Sequence, residues 1–119
     1  MDAKTSIQDL KNKVKEFCEA RDWDQFHNPK ELAIGMSTEA NELLQMFRFK
    51  SKQEMKQLMS SEKITDIEDE LADIFHFILR FSQMYNIDLS SAVLNKMHKN
   101  NKKYPVEKSK GSNKKYNEN

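Results

Sequence analysis

Two glycines, Gly35 and Gly111, and two prolines, Pro29 and Pro105, are all that punctuate the 119 residues of this chain. Chain reversals in β folds draw heavily on these residues, so their scarcity argues against a many-turned sheet. The two glycines are also far apart, and loops that wrap phosphate in backbone N–H groups need clustered glycines. A Walker loop and a dinucleotide-binding turn are therefore excluded as well.

What remains is helical periodicity. Ile7, Leu10, Val14, Phe17 and Cys18 recur at helical spacing and predict a first helix near residues 5–21. The stretch 22–28 breaks the pattern and reads as a loop. Asn28 as N-cap, Pro29 at the first helical position and Glu31 closing a capping box open a second helix to about Lys50. Ser51 and Glu54 open a short helix with Met55, Leu58 and Met59 inward. Thr65 and Glu68 form another candidate box, starting a long helix through Tyr85 that Asn86 ends in a left-handed conformation. Asp88 or Ser90 caps a last helix to about Lys103, stopped by Pro105. Residues 106–119 are polar and basic and read as a flexible tail, leaving one domain over residues 1–105. The expected class is all-α, an antiparallel four-helix-type bundle with a short extra helix.

Charged residues make up 33% of the chain and apolar ones 37%, which is little core material for so small a monomer. Ile34, Leu44, Phe75 and Leu79 fall outside the main apolar stripe and are expected to face another subunit. The single cysteine, Cys18, excludes an internal disulfide and a multi-thiolate zinc site and fits a reducing cytoplasm. No apolar run approaches the roughly 20 residues that span a bilayer, and Met-Asp-Ala-Lys leads straight into a polar helical pattern, so neither a membrane span nor a signal peptide is expected. The net charge of +1 gives no argument for a nucleic-acid or membrane partner. Its distribution is more informative: Asp66, Glu68, Asp69, Glu70 and Asp73 crowd together, while Lys99, Lys102, Lys103, Lys108, Lys110, Lys114 and Lys115 load the C-terminal end.

Acidic pairs at i,i+3 share a helix face, but they arise easily in so charged a chain. Their phase against the apolar stripe separates them. At 100° per residue, with Glu39 at the origin, Leu32 falls near ~20°, Met46 near ~340° and Glu42 near ~300°. With Glu70 at the origin, Phe81 falls near ~20°, Phe77 near ~340° and Asp73 near ~300°. Glu39 and Glu70 thus lie inside apolar stripes, with Glu42 and Asp73 on their margins, whereas Glu16 points to the solvated side of the first helix. A carboxylate on an apolar face is costly to desolvate unless its charge is met. Two such helices packed together gather four carboxylates that cannot all stay ionised without cations. Hard oxygen ligands in this number suit Mg²⁺ or Mn²⁺.

Glu39-x-x-Glu42, then 27 residues, then Glu70-x-x-Asp73 resembles the metal-binding motif of the MazG-like, all-α nucleoside triphosphate pyrophosphohydrolases. The likeness extends to Phe17-Cys-Glu-Ala-Arg-Asp-Trp-Asp-Gln-Phe-His27, to Lys103-Tyr-Pro-Val-Glu-Lys108 and to Lys114-Lys-Tyr116, which resemble the dCTP pyrophosphatase branch. It spans roughly residues 7–116. The resemblance implies Mg²⁺-dependent hydrolysis of a nucleoside triphosphate, such as dCTP, to the monophosphate and pyrophosphate. It implies Glu39, Glu42, Glu70 and Asp73 as metal ligands and Trp23, His27 and Asn100 as residues near the nucleotide. Lys96, Lys103 and Tyr104 lie in the matching basic segment, toward phosphate. Phe49 stands where relatives that prefer dCTP have a second tryptophan, and Phe77 where they have a tyrosine. Both keep a stacking face while the hydroxyl is lost, which extends the expected substrates to dATP and modified cytosine nucleotides. A dimer or dimer of dimers and a role in cleaning the nucleotide pool also follow from the resemblance.

Plainer readings stand beside these. The four carboxylates of a non-enzymatic helical interaction module would be answered by Lys or Arg. Trp23 alone reads as a packed loop anchor, His27 as a loop cap, and Phe75, Phe77, Ile78 and Phe81 as core. His76 and His98 read as surface residues. Asp73-x-x-His76 faintly matches the ligand pairs of di-iron bundles, which need two such pairs.

Overall fold

The computed structural model describes residues 1–115. Tyr116 and the last part of the expected tail lie outside the described residues. By internal contacts the chain divides into Met1–Asn86 and a segment beginning at Ile87. Six α-helices and one 3₁₀ turn make up the regular structure, and no strand occurs among the described residues.

The first unit holds α1 (Ile7–Ala20), the 3₁₀ turn Asp24–Phe26, α2 (Pro29–Phe47), α3 (Lys52–Met59) and α4 (Ile64–Met84). Helix α1 starts after Ser6, whose Oγ accepts from the Asp9 N–H at 3.0 Å while its own N–H donates to the Asp9 carboxylate at 3.1 Å. It ends where Asp22 turns left-handed at φ 56°. Asn28 caps α2 by accepting from the Glu31 N–H at 2.9 Å, with Pro29 in the first turn as expected. Helix α2 stops three residues before Lys50 because Phe49 takes a left-handed φ of 65°. Ser51 and Glu54 form the expected reciprocal box at the start of α3.

The start of α4 departs from expectation. Lys63, without a side-chain cap, precedes the helix, and Thr65 already lies inside its first turn. The chain enters α4 through i→i+3 bonds, from Ile64 to Ser61, Thr65 to Glu62 and Asp66 to Lys63. The Thr65 N–H therefore has its partner, and its hydroxyl donates to the Glu62 carbonyl at 3.3 Å instead of capping. Asn86 sits at φ 54°, the left-handed residue expected after the long helix.

Helix α4 is the spine of this unit, since α1 and α2 both pack against it. Among the described residues, the buried apolar side chains are Cys18 of α1, Leu32 of α2, and Ile67 and Leu79 of α4. Leu79, expected on an outer face, is thus core: α1 and α2 both pack on α4, so the buried part of this helix is wider than one stripe. Phe77, Ile78 and Phe81 are half-buried, and Phe75 is exposed with Ile34 and Leu44.

The second unit carries α5 (Leu89–Lys103) and α6 (Val106–Ser109). Asp88, not Ser90, caps α5, accepting from the Ser91 N–H at 2.8 Å. Pro105 ends α5 as expected but also starts a further turn, since its fixed φ of −58° suits the residue before a helix. Residues 106–109 are therefore helical, not an unstructured start of the tail. Val93, Leu94 and Met97 of α5 are exposed.

Candidate metal centre and the surrounding pocket

Glu39 and Glu42 lie one turn apart on α2, and Glu70 and Asp73 one turn apart on α4. Because α2 packs on α4, the two pairs meet. One carboxylate oxygen each from Glu39, Glu70 and Asp73 lies within 4.8 Å of the others. Glu42 is near enough to act on both Glu39 and Glu70. Burial follows the helical phase: Glu39 and Glu70 are half-buried, Glu42 and Asp73 exposed, and Glu16 of α1 is exposed as expected.

The electrostatics of this group are one-sided. Burial, hydrogen bonding with and the charge of Glu42, and the charges of Asp73 and Glu70 push the Glu39 carboxyl up to about 7. The Glu70 carboxyl is also raised, first by burial and then by Glu42. No ion pair of the described residues involves any of the four; Lys15 pairs with Glu19, and Arg80 with Asp24. The Oε2 atoms of Glu39 and Glu70 are buried without a hydrogen-bond partner. Orphaned, buried acceptors in a cluster of hard oxygens are what a divalent cation satisfies. The donor set fits Mg²⁺ or Mn²⁺ and does not fit a di-iron centre, which requires histidine ligands from a second pair.

Trp23 and His27 lie in the segment between α1 and α2, and Phe77 lies on α4 with its ring against Gly35 of α2. Trp23 packs edge-on against Phe17 at 5.6 Å and His27 at 6.3 Å between ring centroids. His76, expected at the surface, is half-buried, with its ring edge-on to Phe17 at 5.8 Å and Phe77 at 5.5 Å. It sits on the α4 flank that α1 covers, and burial holds its imidazole below the usual range. His98 is exposed on α5. Phe49 lies in the loop after α2, exposed, with the Arg48 guanidinium 4.8 Å from its ring centroid. Lys96, Asn100 and Lys103 follow one another at i, i+4 and i+7 along α5, and Tyr104 is its C-terminal cap; all four belong to the second unit.

Two residues that periodicity passed over shape the packing around α4. Gly35 lies one turn before Glu39, and a Cβ there would meet the Phe77 ring at 2.5 Å. Its missing side chain lets that ring seat against α2 beside the carboxylates. A lone glycine inside a helix, costly unless backbone approach requires it, was the available signal. The second is Arg80, 1% exposed on α4. Its Nε donates to His27 Nδ1 at 2.9 Å and its Nη1 to Gln83 Oε1 at 2.6 Å, while Nη2 bonds Asp24 Oδ1. Arg80 is seven residues beyond Asp73, two turns further along α4 and within ~20° of it on the wheel.

Residues 34–118 match the model of the MazG-like family. The chain belongs to the MazG-like family. It is 35% identical over 112 residues to dCTP pyrophosphatase 1 of Bos taurus, covering 93% of this chain and 66% of the bovine protein. The chain therefore spans just under two thirds of that relative's length. The human dCTP pyrophosphatase 1 is 32% identical over 114 residues, covering 95% of this chain and 67% of the human one. Among solved structures, a pyrophosphatase of Archaeoglobus fulgidus superposes with a TM-score of 0.77 at 34% identity, covering 82% of this chain and 91% of the archaeal one. This MazG-like chain is accordingly similar in sequence and in helical architecture to proteins named for pyrophosphate chemistry.

Proposed function

We propose that this MazG-like protein is a Mg²⁺-dependent nucleoside triphosphate pyrophosphohydrolase that converts dCTP, and with it dATP or modified dCTP, to the monophosphate and pyrophosphate. The observation that carries the reading is the carboxylate cluster: three oxygens within 4.8 Å, two of the residues with orphaned buried atoms, and no ion pair to the cluster among the described residues. Glu39, Glu42, Glu70 and Asp73 hold the metal, with Mn²⁺ as a substitute for Mg²⁺. When bound, the ion neutralises triphosphate charge and acidifies water. Glu42 or Asp73, the exposed members, orient the attacking water and take its proton. The bond between the α- and β-phosphates breaks and pyrophosphate leaves. Trp23, with Phe49 and Phe77, offers the base a stacking face, and His27 offers it a polar contact. Lys96, Asn100, Lys103 and Tyr104 serve the phosphates, a role that the absence of any glycine-rich loop leaves to side chains.

The working form is a homodimer or homotetramer, supported by the exposed apolar residues Ile34, Leu44 and Leu71 of the first unit and Val93, Leu94 and Met97 of α5. It acts in the cytoplasm as a nucleotide-pool housecleaner; no helix among the described residues is long and apolar enough to cross a membrane. A salt-bridged interaction module, the alternative, would show cations facing the cluster, and the described residues supply none.

The test is pyrophosphate release with Mg²⁺ over a panel of natural and modified nucleoside triphosphates. The expected result is preference for cytosine deoxynucleotides and loss of turnover in Glu39→Gln with helical circular dichroism intact. Full activity of that variant would end the metal-cluster reading.

A further inference from the structure

The most unusual buried group outside the carboxylate cluster is the Arg80 guanidinium. It is 1% exposed and its charge is met by Asp24, whose side chain is 54% exposed. A buried cation is tolerated only when its donors are satisfied. Here each of the three guanidinium nitrogens has a partner, and two of the partners, His27 and Asp24, come from the segment joining α1 to α2. Arg80 thus ties that segment, with Trp23 at its start, to α4.

The bond to His27 carries chemical information. Arginine has five N–H donors and no acceptor, and it does not deprotonate. His27 Nδ1, 2.9 Å from Arg80 Nε, must therefore present a lone pair. The ring proton then sits on Nε2, and the imidazole is neutral. We infer that Arg80 is a positioning residue for the nucleotide pocket: it fixes His27 as the Nε2–H tautomer, so that His27 meets the substrate only as a hydrogen-bond donor. The group received there must be an acceptor, such as a base carbonyl or a ring nitrogen; an exocyclic amino group would be refused. This inference rests on the proposed nucleotide reading for its consequence, but not for the tautomer.

The charges around the ring agree. Burial first, then Arg80 and His76 of α4, hold the His27 imidazole below its usual range, against the opposing pull of Asp24. Loss of Arg80 removes one of the lowering influences and leaves Asp24 acting alone in the other direction.

The experiment is ¹⁵N-edited NMR of the imidazole rings in the full chain, without metal or nucleotide, assigned with His27→Gln. Wild type is expected to show His27 with its proton on Nε2 and a bare Nδ1 at pH 7. Arg80→Met is expected to show mixed tautomers and a titration moved toward the ordinary histidine range. Asp24→Asn, which keeps the Arg80–His27 bond, is expected to keep the Nε2–H form, so the reasoning stays testable even if Arg80→Met does not fold. In kinetics, Arg80→Met should raise KM for the preferred nucleotide about tenfold, the loss of roughly one positioned hydrogen bond, with kcat within about threefold and Mg²⁺ affinity unchanged. A wild-type His27 protonated on Nδ1, or a tautomer indifferent to Arg80→Met, would overturn the inference, as would a fall in kcat alone. If no triphosphate is hydrolysed, the functional reading fails while the NMR result still decides the tautomer.

Discussion

The Glu39 carboxyl, raised to about 7 by burial and by its acidic neighbours, ties metal binding to pH in a way that can be worked through. Because the carboxyls are coupled, the step belongs to the cluster as a whole. A metal takes the ionised form, so a proton must leave before or as the ion enters. For a step near 7, about one tenth of the sites are ready at pH 6 and about nine tenths at pH 8. Apparent Mg²⁺ affinity should therefore rise about tenfold between those values and level off above them. Calorimetric titration of the nucleotide-free protein, repeated in buffers of different ionisation enthalpy, should find close to one proton released per ion at pH 6 and little at pH 8. Glu39→Gln should weaken binding and flatten the profile. Stability without metal follows the same linkage. Between the ordinary carboxyl value of 4.5 and about 7, the folded chain retains a proton that the unfolded chain has released. Raising the pH through that window must then lower stability, and added Mg²⁺ should restore it most strongly at the upper end. An affinity that is flat from pH 6 to pH 8, with no proton released at the lower value, would refute the reasoning.

Other outcomes follow from packing. Gly35→Ala forces a Cβ onto the Phe77 ring; overpacking of this kind costs about 1–3 kcal/mol, more than the gain of up to ~1 kcal/mol in helix propensity. Denaturant unfolding should show a net loss of stability, and Phe77→Leu in the same chain should recover most of it. Trp23→Ala should raise KM for nucleotide while leaving Mg²⁺ binding unchanged, checked by kinetics and calorimetry. Glu16→Gln, on an exposed face of α1 and away from the four carboxylates, should alter neither turnover nor metal affinity.

Much of the candidate site was legible because helical phase is a local property. Glu39 and Glu70 could be placed within apolar stripes, and Glu42 and Asp73 on their margins, from their phase against the apolar residues; their burial follows that order. The caps at Asn28, Ser51 and Asn86 were legible for the same reason, since each uses residues within a few positions of itself. The start of α4 was misread because the turn from Ser61 to Lys63 had already supplied the Thr65 N–H with a carbonyl. His76 was misread because the flank it occupies is covered by Phe17 of another helix.

By itself, then, the sequence determined an all-helical chain, without a phosphate-wrapping loop and with two acidic pairs in phase with their apolar stripes. Periodicity, capping chemistry and glycine scarcity suffice for that. Tertiary structure alone decided that α2 and α4 bring the pairs within reach of one another. It also decided that Phe77 seats on Gly35, and that Arg80 is buried against His27 and Asp24. Those contacts join residues 28 to 56 positions apart, depending on how helices dock, and no local pattern records that distance.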